Sequence, residues 1–155
     1  MNKVRIDALD DRSGPADVAR PITNAIGAES IALNYYELAP GESFAYGYHK
    51  HETQEEVFVI QQGEVTFEME TGEVTVEAGD VIRFAPGEFQ RGVNTGEQRV
   101  IALALGAPQA RGDTEIRREC ADCGERTPTT VERIEGGSGT LTRCLECGAE
   151  TGRFE

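Results

Sequence analysis

The sequence predicts an all-β protein: a jelly-roll barrel of short antiparallel strands followed by a small cysteine-bearing hairpin unit. Three observations carry this expectation. Between Ser30 and Leu105 apolar and polar residues alternate with period two in short runs. Glycine-bearing turns at Gly41, Gly63, Gly72 and Gly87 separate those runs. Beyond the last run, four cysteines fall as two Cys-x-x-Cys pairs. At 155 residues the chain suits one full domain with a small appendage.

The elements follow in order. Residues 1–29 read as an extension that covers an edge or end of the barrel: a short strand near Val4–Ile6, then a helical turn from Ser13 that Pro21 interrupts and Gly27 ends. Ser30–Leu38 is the first barrel strand. Pro40-Gly41 turns the chain into Phe44–His49, whose alternation continues through His51. In the next strand Glu56, Phe58 and Ile60 share one face, and Gln61-Gln62-Gly63 closes it with a hairpin turn. Val65–Glu70 alternates apolar and polar. Thr71-Gly72 leads into Val74–Val76, Asp80–Phe84 follows, and Val100–Leu105 is apolar enough to be buried on both faces. The barrel spans 30–107, and 108–114 is a linker by composition. Residues 115–155 then hold the cysteines around a Gly136-Gly137-Ser138-Gly139 turn between two strands.

The chemistry concentrates in His49-Lys50-His51, the only two histidines of the chain, followed five positions later by Glu56. Side chains at i and i+2 of a strand share a face, so two imidazoles converge and a neighbouring strand delivers a carboxylate. Two histidines and one carboxylate with open positions suit Fe(II), and also Mn, Ni or Zn. From these residues alone, two surface histidines on a hairpin fit as well.

The longer pattern separates the two readings. His49-x-His51, Glu56 and Gly63 resemble the first signature motif of the cupin superfamily, and Gly79, Gly87 and Asn94 resemble the second. The resemblance covers roughly residues 30–107 and implies a double-stranded β-helix with a metal in the barrel mouth, on His49, His51 and Glu56. Gln90 stands where the family carries a third imidazole. Its amide oxygen could ligate, or it could hydrogen-bond a metal-bound water. Tyr46, Phe58 and Phe84, with Phe44 and Phe89, are candidates for the wall of a substrate pocket. Arg83 and Arg91 could meet a substrate carboxylate, although outward-facing surface arginines are the simpler reading.

Cys120, Cys123, Cys144 and Cys147, each pair followed directly by glycine, resemble the knuckles of a zinc ribbon: one tetrahedral four-thiolate zinc, closed and structural. A redox Cys-x-x-Cys is the alternative, and the joint occurrence of two pairs argues against it.

Net charge is −13, from 28 acidic and 15 basic residues, and Lys3 and Lys50 are the only lysines. Such a surface repels phosphate backbones and anionic membranes. Dense carboxylates with scarce lysine resemble a halophilic protein adapted to a high-salt cytoplasm. Residues 115–155 carry nine acids and six arginines, less repulsive than the rest, yet without interleaved aromatics. A nucleic-acid partner is disfavoured there without being excluded. No apolar run is long enough to span a membrane, and the first residues lack a signal-peptide pattern, which predicts a cytoplasmic protein. Two functions suit these features. One is a small metal-dependent enzyme acting on a small molecule, similar to dioxygenase or isomerase cupins. The other is a non-catalytic sensing or regulatory module whose ribbon docks a protein or nucleic acid. Uncovered sheet edges predict a homodimer.

Overall fold

A computed structural model describes residues 1–155. Two antiparallel sheets form it. One has five strands in the order β1 (Val18–Pro21), β2 (Ala32–Leu38), β9 (Val100–Ala107), β4 (Glu55–Gln62), β7 (Val81–Phe84). The other has eight: β13 (Glu150–Phe154), β12 (Thr140–Cys144), β11 (Glu125–Arg133), β10 (Thr114–Cys120), β3 (Tyr48–His51), β8 (Gln90–Val93), β5 (Glu64–Met69), β6 (Gly72–Glu77). The inward side chains of both sheets make one core. Leu38, Ile60, Val65, Phe67 and Val100 are fully enclosed in it.

Alternation places these residues. Phe58 and Ile60 of β4 point inward with Glu56 between the same two layers, and Val65 and Phe67 of β5 face them. Four phenylalanines, Phe44, Phe58, Phe67 and Phe84, interlock with ring centroids 4.9–6.2 Å apart. Burial of each such ring contributes about 1.5–3 kcal/mol. Gly92 on β8 is the close approach that admits them, since a methyl there would lie 2.6 Å from Phe67 and 2.8 Å from Phe44.

Several elements differ from the sequence reading. Residues 4–6 form no strand; a 3-10 turn covers Ile6–Ala8. The expected helical turn from Ser13 is replaced by β1, an edge strand of the five-stranded sheet that ends at Pro21. A proline lacks the N–H a central strand would need, and the edge tolerates it. The helical residues come after it, as the single turn α1 (Thr23–Ile26), ended by Gly27 with φ 70°. The chain from Glu42 to Gly47 is irregular, with a single isolated bridge at Ser43–Val93, and regular pairing starts at Tyr48. Strand β9 is buried on one face, not two. Val100, Ala102, Ala104 and Gly106 are enclosed while Ile101, Leu103 and Leu105 stay half-buried on the outside.

The C-terminal strands continue the barrel sheet. Residues Thr114–Arg117 of β10 pair antiparallel with Tyr48–His51 of β3, so Thr114 lies opposite His51 and Ile116 opposite His49. The linker before β10 is stapled by Gln54, whose side-chain amide donates to the Pro108 carbonyl at 2.8 Å and the Gln109 carbonyl at 3.1 Å. Gly106 makes room for it: a methyl at that position would meet the Gln54 amide at 2.5 Å.

Candidate metal centre

Two strands deliver the cluster. His49 and His51 are two residues apart on β3 and both point inward, each 6 % exposed. Glu56 begins the inward row of β4. Its carboxylate bridges the two rings, with Oε2 3.5 Å from His49 Nε2 and Oε1 3.3 Å from His51 Nε2. The ligating atoms of all three residues lie within 4.8 Å of one another, a cluster that could hold a metal ion.

The far ring nitrogens decide what the near ones can do. His49 Nδ1 sits 3.0 Å from the Gly47 carbonyl, which only accepts, so Nδ1 carries the proton and donates. An unprotonated Nε2 turns a lone pair towards a carboxylate oxygen 3.5 Å away, so a donor or a cation has to reconcile the two: the Gln90 amide, a proton that makes the ring a cation donating to Glu56, or a metal. His51 Nδ1 is held 2.9 Å from the Thr114 hydroxyl of β10. Burial pushes the Glu56 carboxyl up, but the hydrogen bonds and charge of His49 and His51 outweigh it and hold it down at about 2. The carboxylate is a standing anion.

Gln90 of β8 lies directly opposite His49 in the register and is 2 % exposed. Its amide nitrogen is 2.7 Å from Glu56 Oε2, to which it donates, and 3.2 Å from His49 Nε2. The residue in the position of the absent imidazole thus reaches the cluster, through a neutral amide.

A second cluster lies 3 to 4 Å sulfur to sulfur in the C-terminal strands. Cys120 Sγ is 3.5 Å from Cys147 Sγ and Cys123 Sγ 3.9 Å from Cys144 Sγ; all four thiols are free. Four sulfurs at the Zn–S distance of about 2.3 Å on a tetrahedron are about 3.8 Å apart, whereas a disulfide would bring a pair to about 2.05 Å. The Thr127 hydroxyl, with backbone N–H groups at Cys147 and Glu146, brings the Cys144 thiol down to about 6. Hydrogen bonding to Cys147, burial and the other neighbouring sulfurs push Cys123 up. One thiolate forms readily and resists a second, a conflict that a bound dication resolves.

Residues 34–106 match the family model described as Cupin domain. The barrel has the cupin fold. Among solved structures it is similar to a sugar phosphate isomerase from Silicibacter pomeroyi at TM-score 0.61 and 18% identity, over 96% of this chain and 91% of that one. A predicted oxalate decarboxylase from Thermotoga maritima aligns at TM-score 0.59 and 25% identity, over 68% of this chain and 98% of that one. An oxalate oxidase in complex with glycolate aligns at TM-score 0.56 and 16% identity, over 71% and 60%. No curated protein matches the sequence. These likenesses establish the fold.

The cupin barrel encloses a cavity of about 370 Å³ that reaches His49, His51 and Glu56. Tyr46 and Phe58 line it, as does Phe44. Phe84, expected on the pocket wall, lies in the core against Phe58 and Phe67, because its strand faces the interior of the sandwich away from the mouth. Phe89 is also outside the cavity; it stacks on Tyr48 at 4.9 Å beneath Lys50 and Arg117. Arg83 pairs with Glu55 on the outside of the sheet, and Arg91 lies opposite Glu68 on β8. Sequence reasoning missed Tyr36, Gln54, Thr114, Arg12 and Arg111. All five line the cavity or hold its walls; Gln54 sits inside the first motif at a position the motif leaves open, and the other four come from segments with no local motif.

Proposed function

We propose that the protein is a small metal-dependent enzyme of the cupin fold. His49, His51 and Glu56 hold a divalent ion (Fe, Mn, Ni or Zn) at the floor of the cavity, with Gln90 beside it. The observation that carries this reading is the orientation of His49: its Nδ1 proton is committed to Gly47, leaving a lone pair aimed at an ionised carboxylate beside a ligand-sized cavity. A metal bound there supplies Lewis-acid or redox chemistry at open positions. The chain's own residues orient it: Gly47 and Thr114 fix the rings, Glu56 supplies charge, and Gln90 offers an amide to whatever occupies the adjoining position.

The reading extends to the rest of the chain. Residues 30–107 form the catalytic barrel and 115–155 a zinc ribbon, in which Cys120, Cys123, Cys144 and Cys147 bind a structural zinc that a reducing cytoplasm leaves available to them. The partner is a second copy of the chain, seated on the outer face of the five-stranded sheet. Leu33, Val57, Val59, Ile101, Leu103 and Leu105 make a half-buried apolar field there, an unusual patch on so acidic a surface. The Gln90–Glu56 hydrogen bond favours a second reading, a sensor in which the amide closes the site to chemistry.

Elemental analysis of the purified protein, beside a His49→Ala/His51→Ala variant and a Cys120→Ser variant, tests the proposal. Two metals per chain are expected, one lost only with the histidines and the other only with the cysteine. A single zinc lost with Cys120 and indifferent to the histidines would sink the enzyme reading. A barrel metal without turnover in a substrate screen would favour the sensor.

A further inference from the structure

The cavity is lined by two arginines that have no carboxylate partner. Eight of the chain's fifteen cations sit in ion pairs, all of them with acidic side chains of this same excess. Arg12 and Arg111 do not, and both face the cavity that ends on the histidines. Of the seven cations left without an acidic partner, these two alone line the cavity.

Both residues are exposed where they line the cavity, and it is their backbone that is fixed. The Arg12 backbone N–H donates to the Ala19 carbonyl at 2.9 Å, anchoring the extension beside β1. Arg111 follows the linker that Gln54 staples, and Gly112 (φ 66°) packs it against Thr53. Tyr36 lines the same cavity and is buried. Burial pushes its hydroxyl up, and it feels the charges of Arg12, Glu56 and Arg111 together. Glu56 is the one carboxylate among the lining residues. With a dication on the histidines and Glu56, the cavity would carry net positive charge at both ends, in a body of net charge −13. Field lines from such a cleft select an anion.

Resting on the metal-centre reading, we infer that the cavity takes a small acid with two anionic ends. One end is a 2-hydroxy or 2-oxo carboxylate that chelates the metal; the other is a distal carboxylate or phosphate held by Arg12 and Arg111. About 370 Å³ lies near the low end of the range for small-molecule sites and suits a short acid better than a polymer. Guanidinium groups match the planar oxygens of either distal anion. The extension and the linker, which close over the barrel from opposite ends of its sequence, thereby become parts of the binding site.

Calorimetric titration of the full-length, Mn²⁺-loaded protein tests this with matched probes: glycerate against 3-phosphoglycerate, and 2-oxobutyrate against 2-oxoglutarate. The distal anion should tighten binding roughly ten- to hundredfold, as a charge-assisted pair does. The better of the two pairs identifies phosphate or carboxylate as the distal group. An Arg12→Gln/Arg111→Gln variant should lose that ratio while keeping its metal content and its affinity for glycerate, and Arg12→Lys should retain part of it. Equal affinities within each pair, or a ratio indifferent to both arginines, overturns the inference. The same titration on metal-free protein separates the two readings. Arginine-dependent binding of 2-oxoglutarate or 3-phosphoglycerate by a barrel that takes up no metal would keep the clamp and end the metal centre. A barrel that takes up metal but shows no arginine dependence would do the reverse.

Discussion

At the scale of single residues, the site is a problem of proton placement. His49 is set by a carbonyl, which leaves no choice of tautomer, whereas His51 is set by a hydroxyl that can donate or accept. Thr114→Val removes that partner at nearly constant volume, and metal affinity measured by chelator competition should fall about 10- to 100-fold. An unchanged affinity would mean that β3 alone orients the ring. Glu56 carries the second expectation. Its carboxyl is depressed from the ordinary 4.5 to about 2, so the stability it contributes is present above the ordinary value and is lost as the pH falls through the folded one. In metal-free protein, the stability difference between wild type and Glu56→Gln should therefore shrink between about pH 4.5 and pH 2. A difference that stays constant over that window would show that the histidines do not hold the carboxylate. His49, His51 and Glu56 were legible because a strand and its hairpin neighbour set them within local spacing, whereas Gln90, 41 residues from His49, was reached only through the resemblance to the second motif. Thr114 was not: 63 residues separate it from His51, and no pattern in a linker announces a strand partner. Arg12 and Arg111 were invisible for the same reason, since only the closed fold shows which cations lack a carboxylate.

At the scale of elements, alternation and glycine turns were enough to locate β2, β4, β5, β6 and β7, because each strand's partner is close in sequence or its burial pattern is regular. They failed where a position serves two masters. Strand β8 contains Gly92, which weakens a strand pattern locally yet is the one residue that lets Phe44 and Phe67 close over the sheet. Gly92→Ala should cost about 1–3 kcal/mol by overpacking, read as a lower urea midpoint at unchanged slope. An unchanged midpoint would mean that the rings yield without strain. The apolar run of β9 misled in the opposite direction. Leucines at 103 and 105 looked like core and instead face outward, because composition alone cannot separate a strand buried on both faces from one whose outer face awaits a cover.

At the scale of the whole molecule, that outer face and the net charge of −13 pull against each other. Apolar rows on β2, β9 and β4 favour a two-fold pairing in which identical patches meet. Self-repulsion between two acidic bodies opposes it. At 0.1 M salt the screening length is about 10 Å, comparable to the depth of an interface, and at 1 M it falls to about 3 Å. Repulsion between the bodies is then largely removed while the apolar attraction is untouched or strengthened. Sedimentation equilibrium should therefore show dimer growing from 0.1 M to 2 M KCl, with the melting temperature rising alongside it. Leu103→Glu should leave a monomer at every salt concentration, because it places charge at the middle of the patch. A dimer insensitive to Leu103→Glu would move the interface elsewhere. A melting temperature that fails to rise with KCl would mean that the acidic surface is ordinary solubilising charge, with no adaptation to a saline interior.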